Sequence, residues 1–100
     1  VLASVGRLIA SKRVDAAIAH VRDVEPRATL VIIGEGPERV RLEQLAREWS
    51  VDARFLGLLP RRDALGWVKR ADGLLQASRE EGLSTVVREA LALGTRVIYV

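Results

Sequence analysis

Cysteine and methionine are absent from this 100-residue chain, histidine occurs once, at His20, and only four residues are aromatic. Without cysteine there is no disulfide framework, no thiolate metal site and no thiol nucleophile. One histidine leaves no scope for a histidine cluster, and His20, between Ala19 and Val21, reads as a surface or boundary residue. No apolar run approaches the ~20 residues of a membrane-spanning helix, and no segment has the pattern of a signal peptide, so a cytoplasmic location is expected. Long runs of one charge are missing too. The sixteen cations, fourteen of them arginine, are interleaved with thirteen acids, for a net charge of +3. A nucleic-acid surface gathers cations on a stripe with aromatics to stack bases; neither feature is present, so no nucleic-acid partner is expected. The charge reads as a solvated surface with a mild preference for anions. Arg61, Arg62, Lys69 and Arg70 leave room for a weak peripheral contact with an anionic membrane.

What is present is apolar patterning, with 49% of residues hydrophobic, enough for a real core in one domain of residues 1–100. Leu2–Val5 is a short apolar run ended by Gly6, which predicts a strand. From Lys12 to Val24, Val14, Ala17, Ile18 and Val21 recur at helical spacing, and Pro26 stops the run. Thr29–Ile33 (TLVII) is wholly apolar after its threonine and suits a strand covered on both faces. Pro37 offers a first helical position, and Leu42, Leu45, Ala46 and Trp49 make the next stripe. Arg54–Leu56 predicts a strand ended by Gly57, and Pro60 opens a helix carrying Ala64, Leu65 and Val68. Gly73–Gln76 is a fourth strand. Ser84 or Thr85 can cap a fourth helix with Val86, Val87, Ala90 and Leu93 inward and Gly94 after it. Thr95–Val100 is a fifth strand. The order β-α-β-α-β-α-β-α-β with short connections predicts an α/β fold, a Rossmann-like doubly wound parallel sheet. The chain starts and stops within strands, so it is expected to be a fragment of a larger protein.

In such sheets ligands bind beyond the carboxyl ends of the strands. Two of the loops there carry suggestive chemistry. Gly6-Arg7-Leu8-Ile9-Ala10-Ser11-Lys12 puts an arginine fork and a movable lysine after the first strand, both suited to phosphate oxygens. Arg79-Glu80-Glu81-Gly82-Leu83-Ser84-Thr85 leads into the fourth helix, where Gly82 permits close approach. The first amides of that helix, over Gly82, Leu83, Ser84 and Thr85, have no internal partners and together with the helix dipole favour an anion such as a diphosphate. Glutamates do not suit phosphate but accept from paired sugar hydroxyls. Glu89, near two turns into the helix, can reach a ribose, and Glu81 would lie on the far side of the anion. Spacing alone is weak, since Glu35 and Glu43 are also eight apart on an ordinary charged stretch. Gly34-Glu35-Gly36-Pro37-Glu38-Arg39 has two glycines of a dinucleotide fingerprint but lacks the third and follows the wrong strand, and no GxxxxGK loop occurs.

These segments together resemble the C-terminal, donor-binding domain of a GT-B fold glycosyltransferase of family 4, the glycosyl transferases group 1. VGRLIASKRVD resembles the first strand and phosphate loop, LVIIGEGPERVRLEQLA the second strand and its helix, and FLGLLP the loop that meets the nucleobase. EGLSTVVREALALGTRVI resembles the E-x7-E motif of retaining members. The resemblance implies that Arg7 and Lys12 hold the donor's diphosphate, that Glu81 lies by the donor sugar, that Glu89 binds the ribose, and that backbone around Leu58 meets the base. Arg13, Ser84 and Arg88 depart from the family's common residues.

The expectation is therefore a truncated domain from a retaining, metal-independent transferase, in which a nucleotide-diphosphate sugar is the partner and no cofactor is needed. An acceptor-binding N-terminal domain would be missing, and the isolated chain would be inactive. A nucleotide-sugar isomerase of the 2-epimerase type, with the same architecture, and a non-catalytic α/β interaction domain remain open.

Overall fold

The computed structural model describes residues 1–77 and 85–100. Five parallel strands, β1 (Leu2–Val5), β2 (Thr29–Ile33), β3 (Asp52–Gly57), β4 (Gly73–Gln76) and β5 (Val97–Tyr99), form one sheet in the order β3-β2-β1-β4-β5. Four helices alternate with them: α1 (Val14–Val24), α2 (Arg39–Glu48), α3 (Arg61–Arg70) and α4 (Thr85–Ala92). The strand order first runs outward from β1 to β3, then returns past β1 to β4, so the direction of winding reverses between β1 and β4.

The period of two along each strand divides the core. Leu2, Leu30, Ile32 and Leu75 face α1 and α2, where they meet Val14, Ala17, Ile18, Val21, Leu42 and Ala46. Ala3 and Leu74 face the other way, against Val68 of α3 with Val87 and Ala90 of α4. Neighbours on one strand, such as Leu74 and Leu75, thus feed opposite layers, which is why TLVII and GLLQ carry no polar alternation. Burying a leucine or isoleucine contributes roughly 1.5–3 kcal/mol, so these two layers supply most of the favourable term.

The element boundaries differ from the sequence expectation in ways that have local causes. The first helix begins at Val14 rather than Lys12. Ala10–Lys12 is instead a 3-10 turn, and Arg13, at φ 50° and ψ 45°, redirects the chain into α1. Pro37 precedes α2, which opens at Arg39, because Gly36 and Pro37 are occupied by a turn in which the Arg39 amide donates to the Gly36 carbonyl. Strand β3 extends further in both directions than Arg54–Leu56, paired along β2 from Thr29 to Ile33 with a register shift after Ile32. Strand β5 is shorter than Thr95–Val100. Thr95 is buried and donates its hydroxyl to the Val68 carbonyl at 2.8 Å, tying the α4–β5 turn to α3 instead of pairing in the sheet. Leu93 is exposed rather than inward, since α4 ends at Ala92 and Gly94 turns the chain at φ 81°.

Candidate functional site

The carboxyl ends of β1 and β4 open onto a crevice of about 270 Å³. Its floor is Ser4, Val5 and Gly6 from one strand and Leu75, Gln76 and Ala77 from the other. Arg7 and Lys12 border it together, with Val14 on the side of α1 and Val86, from the first turn of α4, on the other. The crevice therefore sits where the winding reverses, the place at which open parallel sheets bind ligands. The two cations expected to act together meet in one space. Arg7 reaches it from an exposed loop, while Lys12 is brought in by the 3-10 turn and is half-buried.

A second, more apolar crevice of about 220 Å³ adjoins the first through Val5, Gly6 and Arg7. Ile33 lines it from the end of β2, Gly34 and Glu35 from the loop that follows, and Leu58, Leu59 and Ala64 from the β3 loop and α3. Leu58, the residue expected at the nucleobase, borders this crevice and is 78% exposed.

The glycines of the GEGP stretch have a role that the sequence reading did not assign. A methyl group on Gly34 would come within 1.9 Å of the Gly6 carbonyl oxygen, and one on Gly36 within 2.4 Å of the Leu8 carbonyl oxygen. The loop after β2 lies directly against the loop after β1, joined by amide donors from Gly6 to Ile33, from Leu8 to Glu35 and from Glu38 to Leu8. These contacts hold the segment that carries Arg7. The signal was visible as two glycines at a strand end, but its meaning required the neighbouring loop.

Glu89 lies on α4, four residues after Thr85, the first described residue of that helix. Its side chain is 19% exposed and pairs with Arg61, the first residue of α3. This partner was grouped at the sequence level with Arg62, Lys69 and Arg70, yet only those three line the shallow groove on α3 beside Trp67. Glu43, the counterexample to spacing, sits in an exposed ladder with Arg39 and Glu35. Arg88, at a departing position, is exposed on α4. His20 is a boundary residue, 17% exposed and hydrogen-bonded to Glu25 at 3.2 Å. Glu81, Gly82, Leu83 and Ser84 lie outside the described residues.

Fold and site define a doubly wound α/β domain with a cation-flanked crevice at its switch point. The sequence matches the family Glycosyl transferases group 1 over residues 1–100. It is 37% identical to a glycogen synthase of Mycobacterium tuberculosis over 99 residues, 94% of this chain and 24% of that protein. It is also 37% identical, over 97 residues, to the GDP-mannose-dependent alpha-(1-6)-phosphatidylinositol dimannoside mannosyltransferase of M. tuberculosis, covering 93% of this chain and 25% of that one. Among solved structures, Anabaena Alr3699/HepE in complex with UDP superposes with a TM-score of 0.82 at 21% identity, over 96% of this chain and 28% of that chain. The catalytic domain of the Helicobacter pylori cholesterol-alpha-glucosyltransferase superposes with a TM-score of 0.79 at 23% identity, over 98% and 62% of the two chains. At those identities the structures establish the shared fold. This chain belongs to the glycosyl transferases group 1 family, and it spans about a quarter of the length of the curated relatives it matches.

Proposed function

We propose that this chain is the donor-binding domain of a retaining, metal-independent glycosyltransferase, and that it holds a nucleotide-diphosphate sugar across the two adjoining crevices. The observation that carries the proposal is the convergence of Arg7 and Lys12 on the crevice between β1 and β4, next to the first turn of α4. A diphosphate there meets one forked and one mobile cation and the positive end of a helix. The base then extends past Arg7 into the apolar crevice at Leu58, and the ribose lies toward Glu89. Glu81, by its resemblance to the first glutamate of the family motif, is assigned to the donor sugar.

In the reaction that this reading implies, the bond between the anomeric carbon and the diphosphate oxygen breaks, an acceptor hydroxyl oxygen bonds to that carbon on the same face, and the hydroxyl proton passes to the departing diphosphate. Negative charge grows on the departing diphosphate. In this reading Arg7 and Lys12 flank the position where it grows, so they stabilise the transition state more than the ground state without reorganising. That placement supplies the electrostatic role a divalent ion would otherwise fill.

Titration of the full-length protein with UDP, GDP and ADP at low salt tests the binding half of the proposal, and saturable binding of at least one is expected. In the same protein Arg7→Ala and Lys12→Ala should each lower turnover by ~10²-fold or more, on the scale of losing one oxyanion-hole donor. Near-normal turnover in either variant would overturn its role at the diphosphate. A domain that serves only as a scaffold binds none of the three nucleotides saturably.

A further inference from the structure

Arg61 occupies a position that local helix physics disfavours. It is the first residue of α3, followed by another cation, Arg62, although the amino end of a helix favours acids. Pro60 sets that end: its carbonyl accepts from the amides of Asp63 and Ala64, so the first turn is well fixed. From there the guanidinium reaches across to α4 and meets Glu89. The Oε2 atom of Glu89 is sealed from solvent and makes no aligned hydrogen bond, so the contact with Arg61 Nη2 is a charge pairing. The two partners differ in setting: Glu89 is 19% exposed and Arg61 is 70% exposed. A carboxylate this enclosed needs a compensating charge. Its need grows if a diphosphate binds one helical turn away, because like charges at that range repel.

We propose that Arg61 is a positioning residue for the donor's ribose, and this rests on the donor-site reading above. It holds one carboxylate oxygen of Glu89, leaves Oε1 to accept from the ribose hydroxyls, and offsets the negative charge that Glu89 would otherwise set against the diphosphate. The cation at the start of α3 is explained by the site it serves rather than by the helix that carries it.

The test uses the full-length protein with two probes: inorganic pyrophosphate, which has no ribose, and whichever of UDP, GDP and ADP binds most tightly. Arg61→Ala should weaken nucleoside diphosphate binding about tenfold, the scale of one charge-assisted contact, with pyrophosphate binding unchanged. Arg61→Lys should recover part of the loss, and Arg61→Gln, which keeps the side-chain bulk, should resemble Arg61→Ala. The double variant Arg61→Ala with Glu89→Ala should bind no more weakly than Glu89→Ala alone, because the two residues act as one unit. Wild-type affinity in Arg61→Ala would overturn the proposal, as would an equal loss for pyrophosphate or additive losses in the double variant. If the wild-type protein binds pyrophosphate but no nucleoside diphosphate, the donor-site reading itself fails and takes this one with it.

Discussion

Arg13 stands in the left-handed region, at φ 50° and ψ 45°, where an L side chain costs roughly 1–2 kcal/mol and glycine costs little. The family resemblance marked this position as a departure, and the backbone there is a demanding one: the chain must turn between the 3-10 segment that carries Lys12 and the start of α1. Its side chain recovers little, since the contact to Asp15 is 3.4 Å long and the arginine is largely in solvent. Arg13→Gly should therefore raise stability by roughly 0.5 kcal/mol after the greater freedom of glycine in the unfolded chain is subtracted. Denaturant midpoints at unchanged slope would check this, and a lower midpoint would show that Arg13 makes a contact worth more than its strain.

Glycine has opposite meanings in two neighbouring elements. Gly36 ends the β2 loop against the Leu8 carbonyl, so a methyl group there has nowhere to go and must push the β1 loop outward. Gly36→Ala should cost about 1–3 kcal/mol, the usual range for overpacking, and should also weaken nucleotide binding, because the displaced loop carries Arg7. Gly66 lies within α3, where the nearest foreign atom to an added methyl is a flexible Arg70 nitrogen at 3.7 Å. Gly66→Ala should instead stabilise the protein by roughly 0.5–1 kcal/mol, through backbone entropy. Thermal unfolding of the two variants side by side separates them, and a stabilised Gly36→Ala would show that the loops are not packed as described. The periodicity of α1 and the apolar run of β2 made these elements legible from the chain alone. The ends were not, because Lys12, Pro37 and Thr95 are drawn into turns and cross-element hydrogen bonds that no local pattern encodes.

No helix among the described residues is long and apolar enough to cross a membrane. Among the described residues the fold is one sheet with two helices on each face, and the crevice between β1 and β4 draws on both helical layers: Arg7, Lys12 and Val14 on the α1 side and Val86 on the α4 side. A site that spans both layers depends on the whole sheet being assembled. The chain spans about a quarter of the length of its curated relatives, and under the proposed reading the acceptor binds outside these residues. If that reading holds, the 100-residue chain by itself should show no sugar transfer and the full-length protein should show it; turnover by the short chain would place the acceptor site within this domain.

Alternating hydrophobic periods were enough to name the alternation of strands and helices, since burial on one or both faces is a local property of residue order. They also placed Arg7 and Lys12 on one loop at the ligand-binding edge. The order of strands was not readable, nor was the meeting of that loop with α4, because both depend on which connection crosses back over β1. The close approach of Gly34 to Gly6 and the pairing of Arg61 with Glu89 join residues 28 apart in the chain in each case. Such contacts form only when parallel strands bring their carboxyl ends to a common edge, and no window of sequence contains both partners.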